Sequence, residues 1–381
     1  MSSRLPIMLS AGNFVVGLAA FVVIGLVSPI ASAYGATVEQ AGRVMTWYAM
    51  AYAVGAPFAT ALTGSLPRRL VLTSGLVLLG FGAVLGALAP TLLALELSRV
   101  VVAIGAGLFT PGAAAVAIAT VAPERRARAL SVVFAGLTLA QVFGVPLGSW
   151  AGYTFGFATT FWGIAVLSIM AAVLVFVSVP RDLAFQPASL GQLGRTIATP
   201  RLLLPVLFTT TIMAAVYVVY TFLGPLIEGR YGFGRDGVTA YLTLFGIAAV
   251  FGNFIGGFCA DRFGPSRTLI GICLLQILFL PTVALAPVGP AAMGVLVTAW
   301  SLCGWSFMTP QQSRLVAIGS DRTPLMLSLN ASAIYLGVAI GSAIGGMSLT
   351  AGGWTAVAVV ACLVAGLALV HLIASDRLAA R

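Results

Sequence analysis

The chain has no lysine, a single histidine and only nine acidic residues in 381. Charged residues make up 7% of it, against roughly 25% in soluble domains, where polar side chains must cover the surface that faces water. So little charge excludes a water-soluble enzyme, a nucleic-acid-binding module and a disordered chain together. The four cysteines (Cys259, Cys273, Cys303, Cys362) form no CxxC pair and read as small buried hydrophobes, and His371 reads as structural. No metal site and no cofactor is expected. There is no cluster of His, Asp and Glu, no HExxH and no nucleotide loop ending in GK[ST], so neither an enzyme nor ATP-driven transport by this chain is expected. All nineteen bases are arginines and the net charge is +10. They stand in ones, twos and threes and not in a stripe, so no nucleic-acid partner is expected.

What the chain does have is apolar length. Sixty per cent of it is hydrophobic and its mean hydropathy is +1.09. A helix needs about 20 apolar residues to cross ~30 Å of hydrocarbon. Twelve runs qualify, at 7–30, 42–63, 70–89, 92–119, 129–152, 157–179, 202–227, 238–259, 268–287, 290–315, 325–349 and 353–374. Turn residues punctuate them, as in Leu66-Pro67-Arg68-Arg69 and Arg262-Phe263-Gly264-Pro265. Strands are not expected, since the runs are continuous and too long for barrel segments. The first run ends near Ala31-Ser32-Ala33, a small-residue pattern like a signal cleavage site. It exceeds the 7–15 residues of a signal core and reads as a retained helix.

Arginine placement sets an orientation. With the N-terminus inside and twelve crossings, fifteen arginines fall in cytoplasmic segments, three outside (Arg43, Arg230, Arg235), and Arg99 within a run. This predicts a multi-pass protein of the cell (inner) membrane with both termini cytoplasmic.

The least hydrophobic stretch, 180–201, separates six runs from six. It predicts an N-terminal bundle over 1–179, a cytoplasmic linker over 180–201 and a C-terminal bundle over 202–381. The halves repeat. Glu124-Arg125 and Asp321-Arg322 lie 197 apart, as do Gly144 with Gly341 and Gly148 with Gly345. Thr110-Pro111 and Thr309-Pro310 lie 199 apart.

Several residues are candidates for function. Arg99 within the fourth run is costly in a lipid setting, so it is a functional candidate, and Glu96 lies on the same face. The alternative is that both pair at the outer interface and tie down the helix start. In the fifth run Gly144, Gly148 and Gly152 form a stripe of small residues beside Pro146, which permits a bend. The loop Gly257-Phe258-Cys259-Ala260-Asp261-Arg262-Phe263-Gly264 combines a glycine for close helix approach, an acceptor and bases. Its partner loop keeps Gly64, Arg68 and Arg69 but has no acid. Helical spacing groups Asn13 with Gly17, Ala20 and Ile24; Thr210 with Tyr217 and Tyr220; and Thr298 with Trp305, Thr309 and Gln312. Asn13, Tyr217, Tyr220, Trp305, Thr309 and Gln312 are the candidate substrate contacts, suited to a small amphipathic or lipophilic ligand. Any single Tyr or Trp reads equally as an interface anchor.

Two six-helix halves joined by a cytoplasmic linker form an architecture of secondary transporters, which bind substrate near the midplane and alternate access by rocking. Over essentially its whole length the chain resembles the major facilitator superfamily, in particular twelve-span drug:proton antiporters and sugar (arabinose)-efflux permeases. The resemblance implies an all-α membrane fold of twelve helices in two pseudo-symmetric bundles, with helices 1, 4, 7 and 10 lining the cavity. The loop at 257–267 is similar to the superfamily's cytoplasmic signature. The segment at Gly144–Gly148 is similar to a motif of exporters, and Arg99 matches an arginine associated with proton coupling. The implied activity is proton-coupled export of a small organic molecule by a monomer, with substrate, protons and the bilayer as partners. An uncoupled facilitator or an uptake permease is the alternative. One departure bears on coupling: relatives often carry an acid in the first helix where this chain has Ala20, which leaves Glu96 as the acid within the N-half runs.

Overall fold

The computed structural model describes residues 5–63, 66–122, 125–181, 183, 190–319 and 322–379. It is helical throughout, with no strand among the described residues. Among the described residues, ten stretches are both long and apolar enough to cross a bilayer. The last of them, Leu325–Ala379, contains two helices that meet at Gly352 and Gly353, where the backbone leaves helical geometry. Val38–Leu62 adds a further helix of 25 residues, about 37 Å long.

Twelve spanning segments result. We number them α1 (Leu5–Phe21, Val22–Gly25 and Val27–Tyr34), α2 (Val38–Leu62), α3 (Arg68–Ala87), α4 (Leu92–Ala119), α5 (Arg126–Leu139, Ala140–Gly144 and Val145–Phe155) and α6 (Phe157–Ser178). The second set is α7 (Pro200–Tyr220 and Leu223–Tyr231), α8 (Arg235–Phe263), α9 (Pro265–Leu285), α10 (Pro290–Trp305 and Met308–Ile318), α11 (323–351) and α12 (354–379). A short helix, Leu190–Ile197, lies in the stretch between the two sets.

The chain forms two compact units, Met1–Ala36 with Trp47–Leu190 and Thr37–Thr46 with Gly191–Arg381. The first turns of α2 therefore group with the second set of helices: Ser342 of α11 donates to the Gly42 carbonyl at 3.3 Å, and Thr350 to Glu39 at 2.7 Å.

Interruptions in the helices follow from proline chemistry. Pro29 has no N–H to bond the carbonyl four residues back, which is that of Gly25. The chain tightens into a 3₁₀ turn at Val22–Gly25, and Ser149 of α5 donates to the orphaned Gly25 carbonyl at 3.0 Å. In α5 the bend beside Pro146 takes the form of a π turn at Ala140–Gly144.

Glycine stripes hold parallel helices together within each unit. Gly136, Gly144, Gly148 and Gly152 of α5 sit on Ser10, Leu18, Val22 and Leu26 of α1, each partner numbered 126 lower. In the second unit Gly337, Gly341 and Gly345 of α11 sit on Thr210, Ala214 and Val218 of α7, each partner numbered 127 lower. A Cβ on any of Gly136, Gly337, Gly341 or Gly345 would come closer than 3.0 Å to main-chain atoms of the neighbouring helix. The sequence repeat is therefore a repeat of backbone approach, in the manner of small-residue seams between membrane helices.

Candidate functional site

Thr91 caps α4, its hydroxyl accepting from the Ala94 amide at 3.2 Å. That start places Arg99 two turns into the helix, about 11 Å along its axis. Arg99 is fully buried and Glu96, one turn nearer the start, is 5% exposed. A buried cation requires partners. Nη2 of Arg99 donates to the Ala19 carbonyl of α1 at 2.5 Å. Its guanidinium carbon lies 4.7 Å from the ring centre of Tyr48 and 5.7 Å from that of Phe161, within reach of cation–π attraction. Nε and Nη1 have no hydrogen-bond partner. The guanidinium is thus held by a main-chain dipole and two rings, with Nε and Nη1 to spare.

Asn13 is fully buried in α1. Its amide donates to the Val133 carbonyl of α5 at 3.0 Å and its oxygen accepts from Thr110 of α4 at 3.0 Å. Both ends of its amide are thereby engaged in tying three helices together.

In the second unit Tyr217 and Tyr220 come together as the spacing predicts, with ring centres 5.4 Å apart. Tyr220 stacks on Phe245 of α8 at 4.0 Å, and the Trp300 ring of α10 meets that pair edge-on at 6.1 and 5.2 Å. Trp300 Nε1 donates to Gln276 of α9 at 3.0 Å. Tyr217 and Trp300 are essentially unexposed. Trp300 is absent from the set chosen by spacing.

The grouping of Thr298, Trp305, Thr309 and Gln312 assumed one continuous helix. α10 is interrupted at Ser306 and Phe307, and within its second piece Gln311 and not Gln312 lies on the buried face. Trp305 and Thr309 are partly buried, Thr309 facing the Asn253 carbonyl of α8 at 3.5 Å, and Gln312 is exposed. The adjacent Gln311 is fully buried and donates to the Pro205 carbonyl at 2.8 Å and to Thr209 at 2.9 Å. Thr209 in turn donates to Asn330 at 2.6 Å. Arg314, 3% exposed, donates to Asp376 at 2.7 Å and to Ser375 at 2.5 Å. This buried network joins α7, α10, α11 and α12.

The loop residues fall into two groups. Gly64 lies outside the described residues. Arg68 is buried, with its amide bonded to the Leu183 carbonyl at 3.0 Å, and Arg69 sits 3.9 Å over the Phe176 ring. Asp261 and Arg262 are exposed at the end of α8. Gly264 has φ +85 and forms the turn into α9, a backbone that L side chains rarely adopt. Close approach belongs to a different glycine from the one the spacing singles out. A Cβ on Gly257 would make an ordinary 3.5 Å contact with Thr309, whereas one on Gly256 would collide with the Ser306 main chain. Gly144 and Pro146 are buried and Gly148 is partly buried.

Residues 9–319 match the model of the Major Facilitator Superfamily. The chain is 31% identical over 370 residues to the inner membrane transport protein YdhP of Escherichia coli (strain K12), covering 97% of this chain and 95% of that protein. It is 31% identical over 337 residues to a chloramphenicol resistance protein of Streptomyces lividans, covering 87% and 86%. Its fold matches a crystal structure of a bacterial homologue of the human lysosomal transporter Spinster with a TM-score of 0.82, at 18% identity, over 99% of this chain and 98% of that one. Twelve helical segments long enough to span a bilayer among the described residues, a repeat carried by glycine seams and a buried arginine thus meet a family match over most of the length, and the chain belongs to the Major Facilitator Superfamily of membrane transporters.

Proposed function

We propose that the protein exports a small organic molecule by proton-coupled antiport, with Glu96 and Arg99 as the coupling pair. The observation that carries this reading is Arg99, wholly buried with Nε and Nη1 left without hydrogen-bond partners. Such a cation gains most from a negative charge that comes and goes, and a carboxyl one turn away on the same helix is a group that can supply it. Amphipathic uncharged molecules suit the aromatic group of Tyr217, Tyr220 and Trp300, and the relative named for chloramphenicol resistance supports export of that class. The arginine distribution supports an inner-membrane orientation with both termini cytoplasmic, and the protein works as a monomer.

The test is substrate-driven proton movement in proteoliposomes. Wild type is expected to move protons when chloramphenicol or a similar amphipathic compound is supplied, and Glu96→Gln to transport without doing so. Unchanged coupling in Glu96→Gln removes that residue from the mechanism. A second reading, uncoupled facilitation, is favoured by Ala20, which is fully buried where relatives often carry an acid. Transport indifferent to a pH gradient in wild type would select it.

A further inference from the structure

In the first unit α3 and α4 meet backbone to backbone. A Cβ on Gly75 would lie 2.9 Å from the Gly105 carbonyl, and one on Gly82 would lie 2.7 Å from the Val102 nitrogen. At the offset of 197 that relates the halves, α9 carries Ile272 and Phe279 in place of those two glycines. Bulky side chains stand where small ones let the first pair of helices close. Alongside α9 in the second unit, an apolar groove of about 640 Å³ opens between α8, α9 and α10, lined by Ile272 and Phe279 with Ile255, Leu302 and Cys303. Arg267 lies at one end of it.

The groove has the length of one leaflet. Arg267 to Phe279 spans twelve residues of helix, about 18 Å, against ~15 Å for half of a ~30 Å hydrocarbon core. Its walls are open to the surroundings, with Ile255 45% and Phe263 54% exposed, so it is not a closed internal cavity. The turn between α8 and α9 carries Arg262 and Arg267 against the single acid Asp261. The arginine distribution assigns this turn to the cytoplasmic side, whose leaflet is the anionic one.

We propose that this groove binds one acyl chain of an anionic phospholipid of the cytoplasmic leaflet, with the lipid phosphate on Arg267. The apolar walls take the chain by contact area, and the arginine selects the headgroup by charge. Packing in the first unit closes the equivalent position, so the site belongs to the second unit alone.

Native mass spectrometry of the delipidated full-length protein, titrated with phosphatidylglycerol and with phosphatidylcholine of the same chains, tests this. Wild type is expected to bind phosphatidylglycerol the more tightly. Arg267→Gln is expected to weaken phosphatidylglycerol about five-fold, the worth of one arginine at an anionic surface, and to weaken phosphatidylcholine, whose phosphate is neutralised by its own choline, less than two-fold. Gly271 lines the groove and a Cβ there meets nothing within 4 Å, so Gly271→Trp is expected to fill the groove and weaken both lipids at least ten-fold. Equal affinity of wild type for the two lipids, or phosphatidylglycerol binding unaltered in Arg267→Gln, overturns the proposal. Should Gly271→Trp fail to fold, the Arg267→Gln comparison decides alone.

Discussion

Arg99 of α4 donates to the main-chain carbonyl of Ala19 in α1 at 2.5 Å. That bond brings the buried guanidinium to the residue next to Ala20. A carboxylate introduced there would have Nε and Nη1 of Arg99 within its neighbourhood to satisfy. A double-mutant cycle of Ala20→Asp with Arg99→Gln is therefore expected to show a favourable coupling of at least about 1 kcal/mol in unfolding free energy. Additive effects would place Ala20 and Arg99 out of each other's reach.

The rings around Arg99 require a flat cation. Lysine keeps the charge but not the planar face that lies over Tyr48, nor the forked donors. Arg99→Lys and Arg99→Gln are both expected to lower transport at least ten-fold, with Tyr48→Leu intermediate. Full activity in Arg99→Lys would mean that charge alone suffices.

Adjacent glycines of α8 have opposite tolerance. Gly256 lies against the Ser306 main chain while Gly257 has room for a methyl group. Gly256→Ala is expected to cost about 1–3 kcal/mol by overpacking, and Gly257→Ala to be close to neutral. Melting temperatures in detergent separate the two. If Gly257→Ala stops transport while leaving the melting temperature unchanged, its role lies in conformational change and not in packing.

Arg314 and Asp376 form an ion pair with side chains 3% and 30% exposed. Removing the acid leaves a nearly buried guanidinium with Ser375 and Gln311 as its remaining partners. Asp376→Asn is expected to destabilise by about 2–3 kcal/mol, less than loss of a fully buried pair because the carboxylate is partly hydrated. A fall in the melting temperature of several degrees checks this, and Arg314→Met with Asp376→Asn together is expected to recover part of it.

Trp300 reports on the aromatic group of the second unit. Substrate quenching of tryptophan fluorescence is expected to be lost in Trp300→Phe and retained in Trp305→Phe. The reverse result would move the ligand from Trp300 to Trp305, at the end of the same helical piece.

Much of this was legible before folding. The twelve apolar runs predicted helices within a few residues of those observed, because a span must reach across the hydrocarbon whatever its neighbours are. Gly144 and Gly148, paired at a fixed offset with Gly341 and Gly345, marked the α1–α5 and α7–α11 seams, since a missing side chain at every fourth position has one helical face. Gln311 and Gln312 were not separable by the same means. Both lie in one unbroken piece of α10, Met308–Ile318, and the buried glutamine is the one that a line drawn through Trp305 and Thr309 passes over.

The sequence by itself determined the class of protein, the number of crossings and the duplication, because each depends on composition or on spacing that a membrane imposes locally, and its motifs carried the resemblance to the family. Only the tertiary structure decided that Arg99 is held by an α1 carbonyl, that Asn13 is spent on joining helices, that Gly256 and not Gly257 makes the close approach, and that Ile272 and Phe279 lie along an open groove. Those outcomes depend on which side chains from distant segments arrive at the same place, and no period within one helix carries that information.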